Sequence, residues 1–248
     1  MLWLKTVGVM IILLLVKPLL IQADELSIGL GGGFQTSPYR GYDDQFSALP
    51  LIHYESQYFY VRGLAAGVKL LDYNGHEVSA GLSYDFHQFR AKDSDQAFMK
   101  KLRSRHASLN ADLGYSLNGQ YGTAGLIINQ DISGHSNGQT IDAFYNYGLD
   151  FGRLHLRPGL GLKWESEKKL KYYYGVSRAE SAVSGLPAYS PKSAVTPYLS
   201  LAADFKLADS WSVTAGAKVQ FLSDEIKDSP MVDDSKTVGG YLGLKYAF

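Results

Sequence analysis

LHLRPGLGLKW, the stretch from Leu154 to Trp164, decides the fold of this chain. Its large apolar residues occupy every second position, and His155, Arg157 and Lys163 lie between them. Successive side chains of a β-strand point to opposite faces of the sheet, so the pattern predicts a strand with one apolar and one polar face. The stretch is also long enough to cross a membrane as a tilted strand, which takes about 9–11 residues.

The same alternation recurs through most of the chain, for example in residues 77–87, 195–206 and 211–221. Short connections rich in turn residues alternate with long polar ones, as periplasmic turns alternate with extracellular loops in outer-membrane barrels. We therefore predict an all-β fold, a transmembrane antiparallel up-and-down β-barrel of about twelve strands. The range Gln139–Leu149 is predicted to be one strand. Tyr58–Leu71 fits either one strand or two, which leaves ten strands as the alternative count.

The first residues predict export rather than a part of the fold. Lys5 precedes the apolar run Val7–Val16, and Ala23 offers a cleavage site, as in a secretory signal peptide. An uncleaved anchor is the alternative, but Lys17 and Pro18 interrupt the run before it reaches the roughly 20 residues of a membrane-spanning helix. We expect residues 1–23 to be the signal peptide and residues 24–248 to form the barrel.

Composition excludes several classes of function. The 248 residues contain 24 Lys plus Arg and 24 Asp plus Glu, so no overall positive field attracts nucleic acid. The chain has no cysteine, which excludes disulfides, thiolate metal sites and a lipid-modified N-terminal cysteine. We expect no cofactor and no nucleic-acid partner.

The last segment is more specific than its neighbours. Leu242, Leu244, Tyr246 and Phe248 alternate up to the C-terminus. This arrangement resembles the signal that the barrel assembly machinery of the outer membrane reads. It predicts that the chain resides in the outer membrane of a Gram-negative bacterium, in contact with lipid and lipopolysaccharide.

Three further segments resemble the MipA/OmpV family of outer-membrane proteins. They read SPYRGY at residues 37–42, YYYGVS at 172–177 with ES at 180–181 and SGL at 184–186, and LSDEI at 222–226 with DSPMVD at 228–233. From the second and third segments we single out nine candidate functional residues: Tyr172, Tyr173, Tyr174, Gly175, Asp224, Glu225, Asp228, Ser229 and Pro230.

The resemblance implies a function in murein metabolism, as a scaffold that joins a lytic transglycosylase to a bifunctional penicillin-binding protein. The family also includes members described as adhesins or linked to antibiotic susceptibility. It supplies no catalytic residues, and we predict a protein that is not an enzyme. Two alternatives stay open: a channel for small solutes, and an adhesin that acts through its long loops.

Charged residues on the polar faces of the strands predict what fills the barrel. They carry both signs and comprise Glu77, Asp85, Asp112, Asp142, Asp150, Arg157, Lys163, Asp204, Lys218 and Lys245. Such a set favours a lumen closed by paired charges, because a barrel of this size has little room once side chains fill it. A narrow selective channel is the alternative.

The remaining polar residues predict no reaction centre. The six histidines are dispersed along the chain without metal-ligand spacing: His53, His76, His87, His106, His135 and His155. Tyr172 fits an interfacial aromatic girdle, whereas Tyr173 and Tyr174 fit either a binding platform or packing within the longest loop. The basic residues between Lys92 and Arg105 are interpreted as a solvated surface loop that touches lipopolysaccharide.

Overall fold

The computed structural model describes residues 25–248, in which thirteen strands form one closed sheet and every neighbouring pair is antiparallel. The strands are β1 Glu25–Gln35, β2 Gln45–Glu55, β3 Phe59–Arg62, β4 Ala65–Tyr73, β5 His76–Asp85, β6 Ser108–Gly119, β7 Gly122–Asp131, β8 Gln139–Asn146, β9 Leu149–Phe151, β10 Leu154–Glu165, β11 Ala194–Lys206, β12 Trp211–Phe221 and β13 Lys236–Ala247. Strand β1 pairs with both β2 and β13, and β10 pairs with β11, so the sheet closes on itself.

The barrel wall consists of twelve crossings, as predicted. Strands β8 and β9 both pair with β10, one after the other, so the thirteen strands reduce by one to twelve. The predicted strand Gln139–Leu149 is therefore interrupted. Pro158 of β10 lies opposite the interruption, where its carbonyl oxygen accepts a hydrogen bond from the Tyr147 amide at 3.0 Å. Proline has no amide hydrogen to donate to a neighbouring strand. At the break between β8 and β9, Pro158 therefore costs the sheet no regular hydrogen bond.

The segment Tyr58–Leu71 forms two strands, and the ten-strand alternative is wrong. Gly63, with φ of +65°, makes the turn between β3 and β4. The next turn is Asn74-Gly75, in which both residues have positive φ, at 51° and 81°. That combination is the type I′ hairpin turn, which suits the twist of the two strands that it joins.

The two faces of the wall differ as the alternation predicted. Leu160 and Leu162 on the outer face are each 53% exposed, and Phe46 is 81% exposed. These are lipid-facing positions, and the closed sheet satisfies the backbone hydrogen bonds that lipid cannot. The opposite face, with residues such as Arg157 and Asp204, lines the lumen.

The two ends of the barrel also differ. Glu25, the first described residue, the C-terminal Phe248 and the short turns lie at one end, which is the periplasmic end of such a barrel. The long connections lie at the other end, and they carry helices α1 Glu167–Tyr174, α2 Arg178–Ser184 and α3 Asp224–Lys227. None of the helices within residues 25–248 is long and apolar enough to cross a membrane. The predicted signal peptide lies outside the described residues.

Candidate functional site

Four extracellular connections, residues 36–44, 86–107, 166–193 and 222–235, fold together into a structure that we call the cap. The cap holds a hydrophobic core of thirteen buried residues: Tyr39, Phe89, Ala91, Met99, Leu102, Leu170, Tyr173, Tyr174, Val176, Leu222, Ile226, Met231 and Val232. The main buried apolar cluster of the described chain therefore lies above the barrel rather than in its wall.

Local sequence signals explain why helices form in the cap. Ser166 precedes α1, and its side chain accepts a hydrogen bond from the Lys169 amide. Ser177 and Glu180 form a reciprocal capping box at the start of α2, and Gly185 ends that helix with φ of +80°. A capping box satisfies two amide groups that the first helical turn leaves free. The pattern Ser-x-x-Glu at residues 177–180 is the sequence signal that indicates this helix start.

The three family-like segments meet in the cap. The Tyr39 hydroxyl donates to the Tyr173 carbonyl oxygen at 3.3 Å, and the Tyr39 and Tyr174 ring centroids lie 5.7 Å apart. The Ser229 hydroxyl donates to the Tyr174 carbonyl oxygen at 2.7 Å. The third segment also contacts the rest of the 166–193 loop, because the carbonyl oxygen of Glu225 accepts from the Tyr189 hydroxyl at 3.0 Å.

The candidate tyrosines are not a surface platform. Tyr173 and Tyr174 are 1% and 4% exposed, so loop packing is the reading that the structure supports. Tyr172 lies on α1, and its ring stacks with His135 at a centroid separation of 6.4 Å. It is therefore not on an outward strand face, and the girdle prediction for Tyr172 is wrong. Gly175 follows the last residue of α1. Asp224 is the first residue of α3, and Asp228 and Pro230 come after its end.

A buried ion pair joins two of the cap loops. Arg105 donates to Glu180 at 2.8 Å, and each side chain is 6% exposed. Burial raises the pKa of Glu180, but the Arg105 guanidinium and Ser177 outweigh it and bring that pKa to about 2. The expectation of a solvated loop between Lys92 and Arg105 is therefore wrong for Arg105. Met99 and Leu102 of this loop are buried in the core of the cap, which the charged residues around them did not indicate.

The cap is also tied to the lumen. The Lys169 ammonium group of α1 lies 2.8 Å from the Asp85 carboxylate and 3.8 Å from that of Glu165. His87, directly after β5, is hydrogen-bonded through Nε2 to the Tyr39 hydroxyl oxygen at 3.0 Å, and its ring lies 4.2 Å from that of Tyr173. Burial lowers the pKa of His87 to about 4 despite the nearby Asp85, so His87 is neutral at pH 7.

Two ion networks occupy the periplasmic half of the lumen. Arg62 bonds the carboxylates of Glu55 and Glu77, at 2.6 and 2.9 Å, and Lys69 lies 2.8 Å from Glu55. On the other side, Asp204 lies 2.6 Å from Lys245 and 3.3 Å from Arg157. At the periplasmic end His155 lies 2.6 Å from Asp150, and nearer the cap Asp112 accepts from Asn129. The predicted pairing of interior charges is therefore present here.

The extracellular half of the lumen is not filled. A cavity of about 1080 Å³ lies beneath the cap, lined by Lys163, Lys218 and Arg157 among others. Inward aromatic rings lie over glycines of the neighbouring strand. Because a glycine has no side chain, the rings occupy that position and leave the centre of the lumen open. A Cβ atom at Gly161 would fall 2.4 Å from the Tyr198 ring, and one at Gly216 would fall 2.3 Å from the Tyr241 ring. No local pattern in the sequence predicts this cavity.

Neither the histidines nor the serines form a reaction centre within residues 25–248. No group of three or more His, Asp or Glu side chains in this range is placed to hold a metal ion. Gly134–Gly138 reads GHSNG, which matches the nucleophile pattern G-x-S-x-G. It lies between two strands, however, rather than between a strand and a helix, and the Ser136 hydroxyl donates to Asp131 at 2.8 Å as part of the turn.

The C-terminal strand β13 lies between β1 and β12 with its predicted apolar residues outward. Leu242 and Leu244 are 61% and 41% exposed, and the Tyr246 ring lies 5.1 Å from Trp211 and 4.9 Å from Phe248. This aromatic group lies at the periplasmic end, where the chain terminates.

Comparisons with known proteins agree with this architecture. The family model described as MltA-interacting protein MipA matches residues 28–248. The "MltA-interacting protein" of Escherichia coli is 38% identical over 224 residues, 90% of each chain. The "Putative outer membrane protein YiaT" of the same species is 35% identical, over 91% of this chain and 92% of that protein. OmpV of Vibrio cholerae is 25% identical, over 64% of this chain and 58% of its own.

The relatives carry the names of interaction and outer-membrane proteins, and this chain is likewise a β-barrel of the outer membrane. The match to the family model spans the barrel wall and the cap together, from β1 to the last residue. The chain therefore belongs to the MltA-interacting protein (MipA) family.

Proposed function

We propose that this protein is a scaffold of the outer membrane that binds a lytic transglycosylase at its periplasmic end and thereby serves peptidoglycan synthesis and remodelling. The observation that carries the proposal is the similarity to the MltA-interacting protein, at 38% identity over 90% of both chains. A similarity of this extent covers the turns as well as the strands, so the surface that faces the periplasm is included.

The two ends of the barrel support a periplasmic scaffold. The cap covers the extracellular mouth with a packed core, and ion networks occupy the periplasmic half of the lumen. The short turns at the other end hold exposed aromatic residues, among them Tyr73 at 67% and Tyr121 at 76% exposed. Exposed aromatic side chains on rigid turns are suited to protein contacts, because they bury much area at little entropic cost.

The other partners follow from the same placement. A penicillin-binding protein is proposed as the second enzyme that the scaffold holds. Outer-membrane lipid and lipopolysaccharide would contact the apolar wall, and the barrel assembly machinery would bind the segment containing Leu242, Leu244, Tyr246 and Phe248. The nine candidate residues from Tyr172 to Pro230 are proposed to stabilise the cap rather than to bind these partners.

Site-specific photo-crosslinking in living cells tests the proposal. A photoreactive amino acid replaces Asp209, in the periplasmic turn between β11 and β12, or Asp234, in the exposed extracellular connection before β13. We expect a crosslink to a lytic transglycosylase from position 209 and none from position 234, with crosslinked proteins identified by mass spectrometry.

Crosslinks to assembly factors and lipopolysaccharide alone, from several periplasmic turns, would contradict the proposal. Conductance of the purified protein in a planar bilayer then becomes the next measurement, because steady ion flow would favour the channel. Loop-dependent attachment to host cells would favour the adhesin.

A further inference from the structure

The barrel wall is incomplete between β2 and β5. Strand β3 has four residues, and on the side of β2 it pairs with three residues only, His53, Tyr54 and Glu55. The Gly63 amide adds one bond, to the Ile52 carbonyl oxygen at 2.8 Å. Beyond this point, the edge of β2 from Gln45 to Leu51 has no strand partner on that side within residues 25–248. We call this break the lateral opening.

The sequence of β2 fits an unpaired edge. The Ile52 carbonyl oxygen faces β3, so the backbone groups of Pro50, two residues away, face the same side. That side is the one without a partner. Proline lacks an amide hydrogen and is confined in sheets to edges, strand starts and bulges. A proline at this position removes no hydrogen bond, whereas in a fully paired wall it would remove one.

The opening has definite borders. The β3–β4 turn at Gly63 lies below it, since the Leu64 carbonyl oxygen accepts from the Tyr84 amide at 3.2 Å. The cap closes it from above, where Tyr42 pairs with Ser94 and its hydroxyl accepts from the Arg90 amide at 3.3 Å. The gap therefore lies at the extracellular part of the wall, at the level of the outer leaflet.

The rim and the space behind it differ in polarity. Phe46, Tyr84 and Phe86 on the rim are 81%, 46% and 48% exposed, and they face lipid. The same three residues line the cavity of about 1080 Å³, together with Lys163 and Lys218 deep in the lumen. One continuous space thus connects an apolar, lipid-facing rim to a charged interior, which Arg157, Lys163, Lys218 and Glu165 line.

Lys218 is the distinctive group of that interior. Its ammonium nitrogen lies 3.6 Å from the centroid of the Tyr198 ring, and it forms no ion pair within the described chain, whereas Lys163 lies 3.5 Å from Glu165. A cation held over an aromatic face without a carboxylate is available to an anion. Lys218 on β12 is three strands from β2, which amounts to about 14 Å at the usual spacing of ~4.8 Å.

We infer that the cavity binds a fatty acid, a single-chain anionic amphiphile that enters sideways from the outer leaflet through the lateral opening. The carboxylate reaches Lys218, and the acyl chain lies across the lumen with its end at the rim formed by Phe46, Tyr84 and Phe86. Cavities of roughly 300–1,000 Å³ hold ligands of drug size, so one acyl chain fits and a multi-chain lipid does not.

Fluorescence quenching in nanodiscs tests this inference. The Phe46→Trp variant places a tryptophan on the rim, and a terminally brominated dodecanoate is the quencher. We expect saturable quenching at this position in excess of that in Phe221→Trp, an outward position on β12 away from the opening. Fluorescence of the parent protein, which contains Trp164 and Trp211, is subtracted from both. Tyr84→Trp is the second rim variant if Phe46→Trp fails to fold.

The head-group contact is tested by removing one charge. Lys218→Met should weaken the apparent binding of dodecanoate at least tenfold, and Lys168→Met, at an exposed position on α1, should leave it unchanged. Dodecanol should compete poorly with dodecanoate. Equal quenching at positions 46 and 221, unchanged binding in Lys218→Met, or competition by dodecanol as strong as by dodecanoate would each overturn the inference.

Discussion

The wall and the cap of this barrel depend on different environments for their stability, the wall on lipid and the cap on packing as in a water-soluble domain. In the wall, large apolar side chains such as Leu160 and Phe46 lie outward and exposed, so they are buried only when lipid surrounds them. In the cap, Phe89, Met99 and Leu170 are completely buried by other residues of the chain, as in a water-soluble domain. The wall therefore needs the membrane for its stability, whereas the cap needs its own packing.

This difference implies that the two regions unfold separately and must be measured separately. A single free energy of unfolding is not defined for such a molecule. Hydrogen exchange of residues 166–193 reports on the cap, and the heat-dependent mobility of the folded barrel in detergent gels reports on the wall. A substitution in one region is therefore expected to change one of these measurements and to leave the other unchanged.

The largest expected effect is in the cap. Arg105→Met leaves the Glu180 carboxylate buried without its partner, and breaking a buried pair in this way costs about 3–5 kcal/mol. We expect faster hydrogen exchange throughout residues 166–193, while the gel mobility of the barrel stays the same.

A double variant distinguishes two causes of this loss: the missing attraction between Arg105 and Glu180, and the cost of a Glu180 charge that is buried without a partner. Arg105→Met with Glu180→Leu removes both charges and should restore most of the protection of the cap, because a buried pair contributes little beyond an apolar replacement of similar size. Protection equally low in the single and double variants would show that the pair positions the loops in some other way.

The converse substitution is in the wall. Leu160→Arg places a charge on the lipid face near the middle of β10, where arginine costs about 2–4 kcal/mol. The barrel should unfold at a lower temperature in gels, with little change in exchange within the cap. Leu154→Arg, on the same face but at the periplasmic end of β10, is the control and should cost only about 0–1 kcal/mol.

Sequence alone predicted the wall well and the cap poorly, for a physical reason. The faces of β10 to β13 follow from alternation, which is a local property. The cap depends on contacts between distant residues, such as Tyr39 with the Tyr173 carbonyl oxygen, 134 positions away. The family-like segments marked residues that meet there, but neither their burial nor the Arg105–Glu180 pair has a local pattern. The lateral opening escaped prediction because a shortened β3 keeps the same alternation.

Acid should loosen the cap before it affects the wall. His87 is half-buried and neutral with a pKa of about 4, below its ordinary value near 6.5, so the unfolded cap binds more protons between these values. Stability from this source is complete above pH 6.5 and is lost as the pH falls to about 4, at about 1.4 kcal/mol per unit of pKa difference. Glu180, with a pKa of about 2, adds a further loss below about pH 4.5.

Hydrogen exchange of the cap at pH 7, 5.5 and 4.5 measures this effect. His87→Gln retains a side chain that can bond the Tyr39 hydroxyl but does not titrate, so its cap should show little change between pH 7 and 5. A parent protein whose cap is equally protected at pH 7 and 4.5 would contradict the assignment of His87 as a group that stays neutral in the folded cap.

The smallest predicted effect tests whether the cap behaves as a soluble domain in detail. Ser177→Ala removes the capping box of α2, and the loss of a serine cap costs about 1 kcal/mol. Exchange should rise mainly in residues 178–184, with the remainder of the cap less affected. Ser190→Ala, at an exposed position in the same connection, should leave exchange unchanged. Helix α2 supplies Glu180 to the pair with Arg105. An increase in exchange that spreads into residues 99–105 would therefore show that this short helix and the buried ion pair form one cooperative unit. The contact between them would then be what holds the cap together.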